Sequence, residues 1–268
     1  MDTTLLGIVL PALCAGLLIT ATHVPLGIQV LNRGIVFIDI AIAQIAGVGV
    51  VAADYFHLAE NPYAVQAAAL AAALAGAGVL TWTERRWPAI QEALIGTAFI
   101  LAATAQILLL TSNPHGGEYL KDLLVGQILW VTNGQLAVVG VLTAVVLAIW
   151  FGRGEARLKR FGFYALFGLA VTASVQLVGV YLVFATLIVP ALASREAGER
   201  RLRVAYAVAA GGYVIGLAAS VAFDLPTGPV VVWAMALTGL GVSWALARRR
   251  SLTRSANAPF NPSSTSRG

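Results

Sequence analysis

The chain has 268 residues, of which 59% are hydrophobic and 11% charged, with a mean hydropathy of +0.84 and a formal net charge of +5. A soluble domain carries about 25% charged residues, so there is too little polar surface here to face water, and a soluble globular protein is excluded. Cys14 is the single cysteine, which rules out an internal disulfide and a cysteine-based metal site; the excess positive charge lies in loops and does not read as a nucleic-acid surface.

A membrane-spanning helix needs about 20 apolar residues. In chain order, spans are predicted at 5–22, 35–53, 63–82, 92–110, 136–151, 163–193, 204–223 and 230–246. The first run lacks the basic flank of a cleaved signal peptide and is expected to be a retained span. The sixth run, 163–193, is too long for one crossing. It is expected to fold back as two short helices broken near Gln176 to Gly179. The fold class is therefore an all-α polytopic membrane protein with eight to nine transmembrane helices. Residues 1–250 form the transmembrane domain, and the Ser-, Asn-, Pro- and Arg-rich segment 251–268 is expected to be a disordered cytoplasmic tail. The 27 glycines, with Ala-rich stretches such as 67–78, imply close helix–helix packing.

Sixteen of the seventeen Lys and Arg residues fall in clusters: Arg33, then Arg85 and Arg86, then 153–160, then 195–203, then the C-terminal segment from Arg248. Lys121 is the exception. By the positive-inside tendency these loops are cytoplasmic, with the N-terminus outside and the C-terminus inside. Asp54, His57, Glu60, His115, Glu118, Asp122 and Asp224 then lie on the outer side. Two sets, Asp54/His57/Glu60 and His115/Glu118/Asp122, combine imidazole with carboxylate, which suits a divalent cation such as zinc or manganese. They read equally as an acidic mouth that attracts cations or as ordinary solvated loops.

An ionisable side chain within the bilayer is costly and marks a candidate functional position. Asp39, early in the second span, is the sharpest. With Gln44 it can line a polar path, or it can cap its helix or pair with Arg33. Glu92 opens the fourth span, where a carboxylate also suits a helix N-terminus. His23 closes the predicted first span and reads either as packed on a backbone carbonyl or as a transport residue. Gln106, Thr104, Ser174 and Gln176 are uncharged and are expected to bridge helices. On the inner side, Arg195, Glu196, Glu199, Arg200, Arg201 and Arg203 form a short charged helix that either docks a soluble partner or anchors the chain by charge. No phosphate-cradling Gly loop, His-Glu-x-x-His or Gly-x-Ser-x-Gly motif is present. The chain is therefore not expected to be an enzyme, and any ATP hydrolysis falls to another chain.

Five stretches in order resemble the permease subunits of ATP-binding-cassette importers for metals, the ABC-3 family. Leu31-Asn-Arg-Gly-Ile-Val-Phe-Ile-Asp39, continued to Gly49, resembles the family's Arg-rich turn and following Gly-Asp-x-x-x-His-x-x-x-x-Gly helix. Glu92-Ala-Leu-Ile-Gly96 resembles the acidic opening of a later span, and 120–129 resembles a Leu-Phe-Gly-x-x-Leu segment. Val178 to Ala193 resembles the Val-Gly…Leu-Ile-x-Pro-Ala core, and Asp224-Leu-Pro-Thr-Gly-Pro229 resembles the family's corner before the last span. The resemblance spans about residues 5–247 and implies a permease in the cell inner membrane that carries a zinc-, manganese- or iron-class divalent cation as substrate, with no permanently bound cofactor. It implies a second permease copy as homo- or heterodimer partner, an extracytoplasmic metal-binding protein, and a cytoplasmic ATP-binding subunit docked on 194–203. It makes Asp39, Gln44, Glu92 and His23 the candidate metal path. Aligned on Gly49, however, Gln44 holds the family's His position and Ile40 its Asp position, with Asp39 displaced by one. This implies either a harder or more weakly held ion bound by carboxylate and amide oxygens, or a site placed elsewhere. The loop 152–160 is also shorter than the family's. The contrasting reading is a secondary transporter or cation channel working through Asp39 and Glu92 without an ATPase, which should show inverted repeats with broken helices; none is evident.

Overall fold

The computed structural model describes residues 3–56, 61–110, 124, 126–153 and 160–256. These form α1 (Thr3–Arg33), α2 (Ile38–Tyr55), α3 (Pro62–Arg86), α4 (Gln91–Leu110), α5 (Asn133–Arg153), α6 (Arg160–Val178), α7 (Val180–Ala193), α8 (Arg201–Phe223) and α9 (Thr227–Ala256), with single 3-10 turns at Pro88–Ile90, Ile128–Trp130 and Gly198–Arg200. No strand occurs among the described residues. Eight helices are long and apolar enough to cross a membrane, and Val180–Ala193 is a shorter apolar ninth.

Two helix groups pack side by side. In one, α2 is surrounded by α3, α4 and α6; in the other, α1 contacts α5, α7 and α8, and α9 covers α7 and α8. Small residues let these helices approach. Gly212 and Gly216, one turn apart on α8, lie against Met235 and Val231 of α9, and Gly49 of α2 lies against Ala72 of α3. Any Cβ there would overlap its neighbour, as in small-xxx-small membrane packing.

The long sixth run breaks as expected. α6 ends at Val178, Gly179 has φ 83°, and α7 continues with 14 residues, which spans only about 21 Å. Only glycine enters this backbone region without a steric cost. Gly126, itself at φ 69°, sits directly on the Val178–Gly179 backbone.

α1 departs from the prediction. It does not stop near Thr22 but runs 31 residues to Arg33, through Pro11 and Pro25. Pro25 has no N–H, which leaves the Ala21 carbonyl without its helical donor. Tyr206 of α8 replaces it, its hydroxyl donating to Ala21 O at 3.0 Å. A packed neighbour thus satisfies the carbonyl that would otherwise favour ending the helix. α1 stops at Gly34 (φ 68°), where Gly34 N donates to Leu31 O and Ile35 N to Val30 O, the paired bonds of a Schellman motif. α8 ends similarly: Asp224 takes φ 51°, Leu225 N donates to Ser220 O, and Ser220 Oγ shares a 2.7 Å hydrogen bond with Thr227 Oγ1. At the other terminus α9 departs from the expectation of a disordered tail from residue 251, since the helix continues to Ala256; 257–268 lie outside the described residues.

Candidate functional site

Asp39 lies in the first turn of α2 and is 1% exposed. Neither carboxylate oxygen has a hydrogen-bond partner. The two structural roles weighed for it are not realised. Arg33 stacks on the Phe163 ring of α6, its guanidinium carbon 4.1 Å from the centroid. The α2 N-terminus is capped from another helix, with Phe37 N donating to Glu92 Oε1 of α4 at 3.2 Å. A buried carboxylate without partners costs several kcal/mol, on the order of the penalties for unpaired buried charge.

The α2 residue Gln44 is occupied. Gln106 Nε2 of α4 donates to Gln44 Oε1 at 2.6 Å and to Gln44 O at 3.0 Å. Gly47 makes room for this pair, since a Cβ there would lie 2.7 Å from Gln106 Oε1. Gln44 therefore bridges helices, as Gln106 was expected to do.

His23 lies inside α1, not at its end, and is fully buried. Its Nδ1 is 3.1 Å from Ile19 O and 3.1 Å from Thr22 Oγ1, while Nε2 has no partner. The backbone contact expected of a packed histidine is present. Among the described residues, no group of three or more His, Cys, Asp and Glu side chains lies together as a metal ligand set.

Of the other expected bridges, Gln176 accepts from Gln66 Nε2 and so ties the end of α6 to α3. Thr104 does not bridge; its hydroxyl donates to Ile100 O of its own helix at 2.8 Å. Ser174 lines a small gap with Thr22 and Thr143, between α1, α5 and α6. Sequence reasoning also missed Gln91, whose Nε2 donates to Leu80 O at 3.0 Å, and Tyr206. Neither carries a charge, so neither drew attention inside an apolar run.

Asp54 closes α2 at the end opposite the basic loops and is half-buried. His57, Glu60, His115, Glu118 and Asp122 lie outside the described residues. Near this end, a cavity of about 420 Å³ opens between α2, α3 and α6, lined by Val50, Val65, Gln127, Trp130 and Gln176.

At the basic end, the charged segment is not a helix of its own. It is a tight turn from buried Ser194 through the 3-10 turn Gly198–Arg200, with Gly198 at φ 59°. Arg195, Glu199, Arg200 and Arg203 are exposed, whereas Glu196 and Arg201 are half-buried. Arg201 Nη1 donates to Asn32 Oδ1 at 2.9 Å. A shallow surface cavity of about 350 Å³ lies beside Arg200, Arg203, Val204 and Ala207.

The family model described as the ABC 3 transport family matches residues 6–153 and 155–245. A Chlamydia muridarum protein, whose name assigns it to the membrane part of a metal transport system, is 24% identical over 195 residues. That match covers 65% of this chain and 66% of the relative, just under two thirds of its length. Two solved structures share the fold. PsaBC from Streptococcus pneumoniae in complex with Fab matches with a TM-score of 0.74 and 20% identity, over 91% of this chain and 94% of that one. An inward-facing conformation assigned to the metal-chelate type of ABC transporter matches with a TM-score of 0.63 and 16% identity, over 90% and 85%.

Proposed function

We propose, from the premise that the chain belongs to the ABC 3 transport family, that it is the membrane permease subunit of an ATP-binding-cassette importer that moves a divalent metal cation of the zinc, manganese or iron class. The observation that carries this reading is Asp39, a buried carboxylate with both oxygens unpartnered. A permease has a use for such a group that a mere anchor lacks: it offers a passing cation a brief contact without a closed ligand cage. A transported ion must be held loosely enough to leave, so a sparse site suits the task. Glu92, committed to the α2 cap by one oxygen, and His23, with one free ring nitrogen, are secondary candidates along the path. Gln44, bonded to Gln106, keeps the path in shape; it is not a ligand in this reading.

The working assembly pairs two permease chains in the cell inner membrane, with the N-terminus outside. An extracytoplasmic binding protein delivers the ion, and a cytoplasmic ATP-binding subunit docks on the exposed charges of 195–203. The positive charge of every basic loop favours that side as cytoplasmic.

The test is elemental analysis of cells expressing the chain with its candidate ATPase and binding protein, covering zinc, manganese, iron, cobalt and nickel. A Walker-lysine mutant of the ATPase is the control. One metal should accumulate only with the active ATPase. Accumulation that ignores the ATPase mutation would overturn the reading in favour of a secondary transporter or channel.

A further inference from the structure

We propose that Arg201 is a positioning residue that couples the charged 195–203 turn to the helix carrying Asp39, through its hydrogen bond to Asn32. This rests on the reading that an ATPase docks on that turn. Arg201 differs from its neighbours. Arg195, Arg200 and Arg203 are exposed, but Arg201 is half-buried and directs Nη1 at Asn32 Oδ1, 2.9 Å away, while its Nε is buried without a partner. Its guanidinium reaches along the protein surface to Asn32, an exposed residue, so Nη1 is engaged with α1 while Nε is covered.

Asn32 lies in the last turn of α1, and α2 begins at Ile38 with Asp39 beside it. The connection has little slack. The Schellman bonds at Gly34 and Ile35 are followed by Ile38 N donating to Ile35 O at 3.2 Å, so consecutive backbone hydrogen bonds tie the end of α1 to the start of α2. Side chains of three other segments grip it: Arg201 holds Asn32, Phe163 lies under Arg33, and Glu92 caps Phe37 N. Phe163 and Glu92 belong to spanning helices. Arg201, which opens the spanning helix α8, is the one of the three that also belongs to the proposed docking turn. A displacement of that turn therefore reaches Asp39 through a charge-assisted bond, which is about twice as strong as a neutral one.

The experiment uses the full complex of two permease chains, ATPase and binding protein in vesicles, measuring manganese(II) and zinc(II) uptake and ATP hydrolysis in the same sample. The variants are Arg201→Ala, Arg201→Lys and the exchange Asn32→Arg/Arg201→Asn. In Arg201→Ala the ATPase should co-purify as in the wild type and still hydrolyse ATP, while metal moved per ATP falls about tenfold, within the usual range for coupling between sites. The exchange pair should recover at least half of the ratio. An unchanged ratio overturns the proposal. So does loss of ATPase binding in Arg201→Ala, which would make Arg201 a docking contact, and so does recovery by Arg201→Lys but not by the exchange pair, which would make charge alone sufficient. If the wild-type chain itself retains no ATPase, the docking reading fails first. Amide hydrogen exchange on the purified chain is a separate readout: Arg201→Ala should speed exchange at 35–40, and unchanged protection there would count against the coupling.

Discussion

Gln106 donates to both the side-chain and the backbone oxygen of Gln44, at 2.6 and 3.0 Å, and so joins α4 to α2 in the buried interior. Replacing Gln106 with Leu leaves the Gln44 amide buried and unpaired, which should destabilise the chain by about 1–3 kcal/mol. Replacing both with Leu should recover most of that loss, because no polar group is stranded. Thermal unfolding of the two variants in detergent checks this. A double variant no more stable than the single would mean that the pair does more than satisfy itself.

For Asp39→Asn the expected signs are opposite for stability and transport. The amide has nearly the same shape but no charge, so a buried group without partners becomes cheaper to hold. Membrane levels and melting temperature should hold or rise. Uptake should fall on the order of tenfold or more, the effect of losing one charged contact of about 1.5–3 kcal/mol. Full-rate uptake at normal membrane levels would make Asp39 a structural residue.

The proline kink offers a test that needs no substrate. Tyr206→Phe removes the donor to Ala21 O and should cost about 1–3 kcal/mol. Adding Pro25→Ala returns a backbone N–H to the helix and should make the Tyr206→Phe change nearly neutral. Equal Tyr206→Phe costs with and without the Pro25→Ala change, measured by thermal melts, would show that the tyrosine acts by packing alone.

Glu92 separates a cap from an ion ligand. Glu92→Ala should destabilise by about 1 kcal/mol through loss of the Phe37 N–H acceptor. Glu92→Gln keeps an acceptor and should retain most of the stability. If uptake follows stability across the two variants, Glu92 serves the α2 N-terminus. If Glu92→Gln is stable yet loses uptake, its charge belongs to the path.

Several features were legible because they depend on local composition. A run of 163–193 cannot cross once, and Gly179 is where it turns. The Asp-Leu-Pro-Thr-Gly-Pro corner stops α8 with Asp224 in the left-handed region. Two readings failed for one physical reason. The first span was expected to end near Thr22, where its apolar run closes, and Arg33 was offered as one possible partner for Asp39. In each case the deciding partner comes from elsewhere: Tyr206 satisfies the Ala21 carbonyl, and Phe163 takes the Arg33 guanidinium. The charged 195–203 segment was expected as a helix, but Gly198 at positive φ and a single 3-10 turn lead directly into α8.

By itself the sequence determined the solvent and the layout. Transfer of apolar side chains into lipid depends on composition over about 20 residues, and the distribution of Lys and Arg separates one set of loops from the other. Only the tertiary structure decided which polar groups are satisfied. Gln44 is held by a residue 62 positions away, Asn32 by one 169 positions away, and Asp39 by none. Within a bilayer no water is at hand to satisfy buried groups such as Gln44 and Asp39, so the packing of helices distant in sequence determines which of them is bonded and which is left without a partner.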